Sequence, residues 1–427
     1  MNKSSIIQAE LTWFEGEFIP GVRVTLGDGG RISKVQRGVD DAPTHPGRAL
    51  LPGFVNAHSH AFQRALRGLG EHVPSREEDF WTWREAMYTL VESLDPDRMR
   101  RICVQAFKEM RLAGITTVGE FHYLHHPGDE AHSGDRIILE AAREAGIRIV
   151  LIQVHYVAGG IGTPLSSGQE RFNTSGLDEF WSTLDQAQAS CTRNQSMAVA
   201  AHSIRAVPIE QVADLHAEAC RRGLVVHMHL EEQVQEIEAC REATGATPVR
   251  LVLDRLSPGS EFTAIHATHT IPSDLEDLLG AGCHVCLCPL TEANLGDGIP
   301  DREAMQMHQG SICIGTDSNA RISMIEELRL LELSHRLQSR GRGAWRDASG
   351  HVHKTLLDMA TVNGARSLGL DAGLIEEGAL ADLVLVDLEA ASLADIEPHA
   401  LGAAIVLGSG NEAVIDTCVG GLWGLGQ

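Results

Sequence analysis

Lysine is nearly missing from this chain of 427 residues: four stand at positions 3, 34, 108 and 354, and the formal charge is −23. So acidic a chain lacks the basic surface that nucleic acid or an anionic membrane requires, so neither is expected as a partner. A small anion would meet a repelling field, and its pocket would have to supply local cations as arginine. No apolar run approaches the ~18 residues of a membrane span. The opening Met1-Asn-Lys-Ser-Ser-Ile-Ile-Gln-Ala-Glu10 has no basic stretch followed by an apolar one, so no export signal is expected. The nine cysteines are odd in number and without framework spacing, which predicts reduced thiols and a cytoplasmic setting. Low-complexity tracts and short repeats are also lacking. What is present is length, enough to bury roughly three quarters of the unfolded surface in one large domain and a smaller one.

Leu51-Pro-Gly-Phe-Val-Asn-Ala-His58-Ser-His60 reads as a buried strand that ends in two histidines one residue apart. Alternation places His58 and His60 on one face and Ala57 and Ser59 on the other. Two imidazoles so placed can grip one metal ion; alone, they are equally two polar residues at a strand end. Strand patterns cover 50–58, 115–122, 148–155, 197–203, 224–230, 262–267, 283–288 and 312–317, with helical periodicity between them. Phe80, Trp83, Met87, Val91 and Leu94, for example, recur at three and four. Eight strands alternating with helices predict an α/β fold, a (β/α)8 TIM-like barrel over residues 51–370 with its chemistry at the C-terminal strand ends. Residues 1–50 and 371–427 carry short strand and turn patterns, such as Val22–Leu26, Gly27–Gly30 and Arg31–Val35. They predict a small β-sandwich domain assembled from both termini. Residues 158–176, rich in Gly, Ser and Thr, form a long loop after the third strand, either a lid or a plain exposed connection.

The later strand ends repeat the chemistry of the first. The fifth ends Val225-Val-His-Met-His229-Leu-Glu-Glu232, the sixth Ala264-Ile-His266-Ala-Thr-His269, and the eighth Cys313-Ile-Gly-Thr-Asp317-Ser318. His229 follows an apolar run as a third ligand should, Glu232 would lie just above the metal, and Asp317 puts a carboxylate at a strand tip. Each residue taken singly has a plain alternative, a carbonyl-bonded histidine or a helix-capping aspartate. Four strand ends in barrel order make chance a poor explanation.

This arrangement resembles the amidohydrolase superfamily over nearly the whole chain. The resemblance implies metal ligation by His58, His60, His229 and Asp317, with Glu232, His266 and Asp317 in catalysis. Many members bridge two metals with a carbamylated lysine on the fourth strand. Here no lysine stands between 109 and 353, so a single metal is implied: one Zn2+ per subunit, with Fe2+ or Mn2+ fitting similar ligands. The stretches His60-Ala-Phe-Gln63-Arg-Ala, Phe80-Trp-Thr-Trp-Arg84-Glu, Gly119-Glu-Phe-His-Tyr123-Leu-His-His126, His202-Ser-Ile-Arg205-Ala-Val and Cys288-Pro-Leu-Thr-Glu-Ala-Asn-Leu-Gly-Asp-Gly-Ile299 are similar to those of formimidoylglutamate deiminases. That family converts N-formimino-L-glutamate to N-formyl-L-glutamate and ammonia in histidine degradation. Its pattern implies substrate contacts by Gln63, Arg84, Tyr123, His202 and Arg205, a small dicarboxylate as the partner, and a homodimer. One position departs: Asn319 stands where the family would have a histidine, which puts the local loop contacts in question.

The residue types suit the implied chemistry. A bound Zn2+ can lower the pKa of a water from ~15.7 toward ~7. Asp317 could accept that water's proton, and Glu232 could protonate the nitrogen under attack and then the departing ammonia. His266 would position the water or stabilise the tetrahedral intermediate, unless it only packs beside the site. Guanidinium forks bond two carboxylate oxygens at once, so Arg84 and Arg205 match two carboxylates; ordinary surface ion pairs are their alternative. A deaminase of amino-substituted heterocycles (guanine, cytosine or adenosine type) would share the metal and Glu232 but favour aromatic and amide contacts. A barrel that binds without catalysing is the third reading. Cys283-His-Val-Cys286-Leu-Cys288 resembles a zinc knuckle but lacks a partner pair. His122, His125 and His126 cluster, but a second metal would want a bridging ligand that is missing. His269 could stand in for His266, and Glu292, Asn294 and Asp297 are expected to shape the pocket.

Overall fold

The apolar run from Leu50 onward is long enough for one strand, but in the computed structural model, which describes residues 6–69, 71, 80–128 and 132–424, it is two. Strand His45–Pro52 belongs to the small domain and strand Phe54–Ser59 to the barrel. The break follows from its residues. Pro52 has no N–H for a ladder, and at Gly53 any Cβ would collide with the Thr116 side chain. The domain boundary therefore falls at Gly53, inside the strand predicted over 50–58.

The barrel strands are β1 (Phe54–Ser59), β2 (Ile115–His122), β3 (Arg148–His155), β4 (Gln195–Ala201), β5 (Val226–Leu230), β6 (Phe262–His266), β7 (His284–Leu287) and β8 (Ile312–Ile314). Each pairs in parallel with the next. Their near-continuous burial is what a sheet covered on both faces demands. The ring closes through a parallel bridge between Ser59 and Asp317, where His60 N–H donates to the Asp317 carbonyl at 2.9 Å and Asp317 N–H to the His58 carbonyl at 3.0 Å. The seam is thus made by the residues the sequence picks out as ligands.

Helix Phe80–Ser93 follows β1 and buries Met87 and Val91, with Leu94 just beyond it; the Phe80 side chain lies outside the described residues. Helix Pro96–Leu112 starts at Asp95, whose carboxylate accepts from Arg98 N–H at 2.7 Å, with Pro96 in the first turn. Among the described residues no helix is long and apolar enough to cross a membrane.

The small domain has a three-stranded sheet and a six-stranded sheet, the latter joining Ala9–Phe14 and His45–Pro52 from the N-terminal segment to Leu383–Asp387 and Val414–Val419 from the C-terminal one. Period-two alternation divides its side chains. Leu50, Leu383 and Leu385 pack with Ile7, Val24 and Ile32 between the sheets, whereas Ala49, Leu51, Val384 and Val386 face the barrel core. The C-terminal segment, expected to be β throughout, also contains helix Pro398–Gly408. Its Val406 carbonyl accepts from Arg329 Nε at 3.1 Å. A buried ion pair joins the two domains: Arg148 at the foot of β3 bonds Asp382 through Nε–Oδ2 at 2.5 Å and Nη2–Oδ1 at 3.0 Å.

Candidate active site

The alternation that sends Ala57 and Ser59 outward turns His58 and His60 into the barrel mouth, where β5 delivers His229 and the end of β8 delivers Asp317. The ligand atoms of these four buried residues lie within 4.8 Å of one another. Asp317 Oδ1 is 3.2 Å from His58 Nε2 and 3.1 Å from His60 Nε2, and His58 Nε2 is 3.2 Å from His229 Nε2. The outer nitrogens fix the tautomers. His60 Nδ1 is 2.8 Å from the Phe121 carbonyl and His229 Nδ1 is 3.1 Å from the His202 carbonyl. A carbonyl only accepts, so each Nδ1 carries the hydrogen and each Nε2 turns a lone pair inward.

Lone pairs therefore face lone pairs around a common centre, an arrangement that a cation resolves. Burial and the neighbouring imidazoles hold His229 well below its ordinary pKa, and burial takes His58 down to about 3, so both rings stay neutral donors. Burial alone would raise Asp317, but contacts with His58 and His60 hold its carboxyl well below the usual range. Three imidazoles and one carboxylate fit a divalent transition metal. Space is tight beneath them: a Cβ on Gly315 would stand 2.7 Å from His58 Cβ.

Asn319 is a tie in the seam. Its amide nitrogen donates to Ser59 Oγ at 3.1 Å, the His60 carbonyl at 3.1 Å and the Asp317 carbonyl at 3.0 Å, while its oxygen accepts from Thr316 Oγ1 at 2.7 Å. The amide thus ties the end of β8 to the end of β1. Glu231, His266, Asp317 and Asn319 have φ of 55°, 71°, 43° and 55°. These left-handed backbones cost about 1–3 kcal/mol each and are characteristic of strand tips that aim a side chain.

His266 Nε2 lies 3.8 Å from Glu232 Oε1 and 3.9 Å from Asp317 Oδ2. Its Nδ1 is 3.3 Å from Glu292 Oε1, which also accepts Cys288 N–H at 2.9 Å. Burial raises the Glu232 carboxyl above its ordinary value, against the opposing charges of His266 and Arg205. A raised carboxyl keeps a proton that it can give.

Above these groups is a cavity of about 630 Å3, lined by all five predicted substrate contacts, Gln63, Arg84, Tyr123, His202 and Arg205. Gln63 Nε2 donates to Tyr123 Oη at 2.7 Å. Its short helix Ala61–Leu66 is held at the start by Glu120, which accepts Ala61 N–H at 2.6 Å. Arg205 stands 3.8 Å from Glu232 and 3.7 Å from Glu236. His269 does not line the cavity, whereas His266 does. Cys283, Cys286 and Cys288 are buried along β7, as an inner strand requires.

Among the cavity residues that sequence reasoning did not assign to the pocket are four aromatics, Trp83, Tyr88, Tyr156 and Phe172. The chain's three tyrosines are 88, 123 and 156, so its whole complement lines this one cavity. The loop over 158–176 is exposed at 162–164 and 166–167 and buried at 168–169 and 172, where it meets the cavity. It brings in Phe172, and Gln169 Nε2 donates to Tyr156 Oη at 2.8 Å and Tyr88 Oη at 3.2 Å. Glu236, in the first turn of helix Val234–Thr244, also escaped sequence reasoning; it is buried, and burial lifts its pKa to about 7 against the pull of Arg205.

A parallel barrel that gathers three imidazoles and a carboxylate, beside a buried acid of raised pKa, at its C-terminal strand ends is the arrangement of a hydrolase of the amidohydrolase kind. The chain belongs to the Amidohydrolase family, whose sequence profile matches residues 49–423. It is 36% identical to the formimidoylglutamate deiminase of Pseudomonas aeruginosa across 98% of this chain and 94% of that protein. It is 28% identical to a 5-methylthioadenosine/S-adenosylhomocysteine deaminase of Halobacterium salinarum across 84% of this chain and 78% of that one. Among solved structures, an amidohydrolase from Brucella melitensis superposes with a TM-score of 0.87 at 31% identity, covering 98% of this chain and 94% of that one.

Proposed function

We propose that the chain hydrolyses N-formimino-L-glutamate to N-formyl-L-glutamate and ammonia, with one Zn2+ held by His58, His60, His229 and Asp317. The observation that carries this reading is the pair Arg84 and Arg205 on the wall of the cavity whose floor is the metal-binding group. In a chain of net charge −23, two guanidiniums beside such a floor suit a substrate with two carboxylates. Zn2+, when bound, makes water a competent nucleophile near neutral pH.

The remaining work falls to side chains. Asp317 Oδ2, the oxygen turned away from His58 and His60, takes the proton of the attacking water. Glu232 gives its proton to the imino nitrogen, so that the carbon is attacked as an iminium and a neutral tetrahedral adduct results. His266 Nε2, between the two carboxylates, holds the oxygen as it gains charge. The proton held by Asp317 passes through Glu232 to the amino group of the adduct; as the C–N bond breaks and ammonia leaves, the adduct's hydroxyl proton returns to Glu232 and the carbonyl forms. Gln63, Tyr123 and His202 orient the formimino end. The aromatic wall of Trp83, Tyr88, Tyr156 and Phe172 favours a second reading, a deaminase of an amino-substituted heterocycle.

The test is ammonia release by zinc-loaded protein from N-formimino-L-glutamate, N-formimino-L-aspartate, 5′-methylthioadenosine and guanine. Turnover of the formimino amino acids, with glutamate preferred, is expected. Turnover of a heterocycle alone overturns the proposal.

A further inference from the structure

Because Phe121 on β2 points into the barrel against His58, His60 and His229, its neighbour His122 points outward, under helix Ser133–Ala145. The helix comes close there: a Cβ on Gly134 would collide with the Leu124 carbonyl and stand 2.9 Å from His122 Nε2. His122, His125 and Asp135 meet in this layer, wholly buried or nearly so, with one ligand atom each inside a 4.8 Å group. Asp135 Oδ1 is 3.3 Å from His122 Nε2 and 3.0 Å from His125 Nδ1.

The hydrogen-bond accounting of this group does not close. His125 Nε2 lies 2.8 Å from the Val154 carbonyl, which can only accept, so that nitrogen carries the hydrogen. In the neutral ring Nδ1 then turns a lone pair on a carboxylate oxygen, acceptor against acceptor. A proton on His125 would mend that one contact and no other. Both ring nitrogens of His122 and Asp135 Oδ2 would still be buried without a hydrogen-bond partner among the described residues, and such groups are costly to strand. A divalent cation satisfies His122 Nε2, His125 Nδ1 and the Asp135 carboxylate together. The Val154 bond to the far side of His125 is then the outer bond that fixes a ligating imidazole.

His132 lies in the next layer. The His132 ring centroid is 6.0 Å from that of His125, its Nε2 is 3.1 Å from Glu179 Oε1, and its Nδ1 is buried with no hydrogen-bond partner. Because the group sits outside the barrel wall, it needs no ligand shared with the catalytic cluster, which removes the requirement for a bridging residue.

We propose that His122, His125 and Asp135 hold a second divalent cation of the zinc type, independent of the catalytic one. It would pin β2 to the helix that follows and so fix Tyr123, which lies between the two histidines in the chain.

The test is metal content, which does not depend on turnover. Wild type, His229→Asn, His122→Gln and Asp135→Asn, each loaded with Zn2+ and dialysed free of excess, are analysed by plasma mass spectrometry. Two equivalents per chain are expected in wild type and one in each variant. His229→Asn loaded with Co2+ should retain visible d–d absorption, and adding His122→Gln should abolish it. If Asp135→Asn does not fold, His122→Gln, which keeps the bulk of the side chain, decides the matter. Saturation of wild type at one equivalent, or a wild-type zinc content in His122→Gln, overturns the proposal.

Discussion

The sharpest test of the substrate assignment is Arg205→Gln, read beside Arg205→Lys. The guanidinium stands in the cavity wall, 3.8 Å from Glu232 and 3.7 Å from Glu236, and its side chain is only 14% exposed. A hydrogen bond to a charged group contributes about 1.5–3 kcal/mol, and each 1.4 kcal/mol is tenfold in affinity. Losing the substrate's share should raise KM by about 10- to 100-fold, with the lysine variant between, since it keeps charge but not the fork. Arg205 also opposes the rise that burial imposes on Glu232, so its removal lifts that carboxyl further. An acid works while protonated and is lost as pH rises through its pKa; the alkaline limb of kcat should therefore move to higher pH. The assay is ammonia release across pH on N-formimino-L-glutamate and on analogues in which one or the other carboxylate is an amide. Wild type should discriminate against both amides, and Arg205→Gln should lose its preference at one of them. An unchanged KM in Arg205→Gln, or amides that bind wild type as well as the acid does, would refute the reasoning.

Three further outcomes are expected. Glu292→Gln keeps an acceptor for Cys288 N–H but weakens the hold on His266; kcat should fall about 10- to 100-fold with KM little changed, and a rise in KM alone would show that Glu292 serves binding. Asp382→Asn leaves Arg148, 5% exposed, without its bidentate partner and should cost about 3–5 kcal/mol in urea unfolding; a loss below about 1 kcal/mol would mean that the two domains are joined elsewhere. Burial raises Glu120 from an ordinary 4.5 to about 7, so folding favours its protonated form. Its contribution is whole below about pH 4.5, declines as pH rises to about 7 and is flat above, at most about 3 kcal/mol in all. Glu120→Gln, neutral throughout, should flatten that part of the stability profile.

The metal-binding group was legible because its residues sit at strand tips, where chain order alone fixes which way they face. The eight-strand alternation was legible for the same reason. The split at Gly53 was not, since hydrophobic continuity does not register a change of sheet; Pro52-Gly53 was the available signal. Helix Pro398–Gly408 was missed because its run of Ala, Leu, Ile and Val has no polar face and serves a strand as well as a buried helix. The aromatic wall could not be seen in order of residues, because Tyr88 comes from a helix and Phe172 from a loop whose approach is decided by packing. Glu236 carried no periodic signal, since Glu232 precedes helix Val234–Thr244 and the two do not share a helical face. Asn319 shows the opposite limit: the sequence marks it only as a departure, and packing alone reveals its bonds to Ser59, His60, Thr316 and Asp317.

That every phenol in the molecule borders a single chamber gives the protein a built-in reporter. Fluorotyrosine supplied during growth would yield 19F resonances from that chamber and from nowhere else. Ligand entry could be followed by nuclear resonance at positions that native tyrosines already occupy, because the scarcity of one amino acid has placed the label.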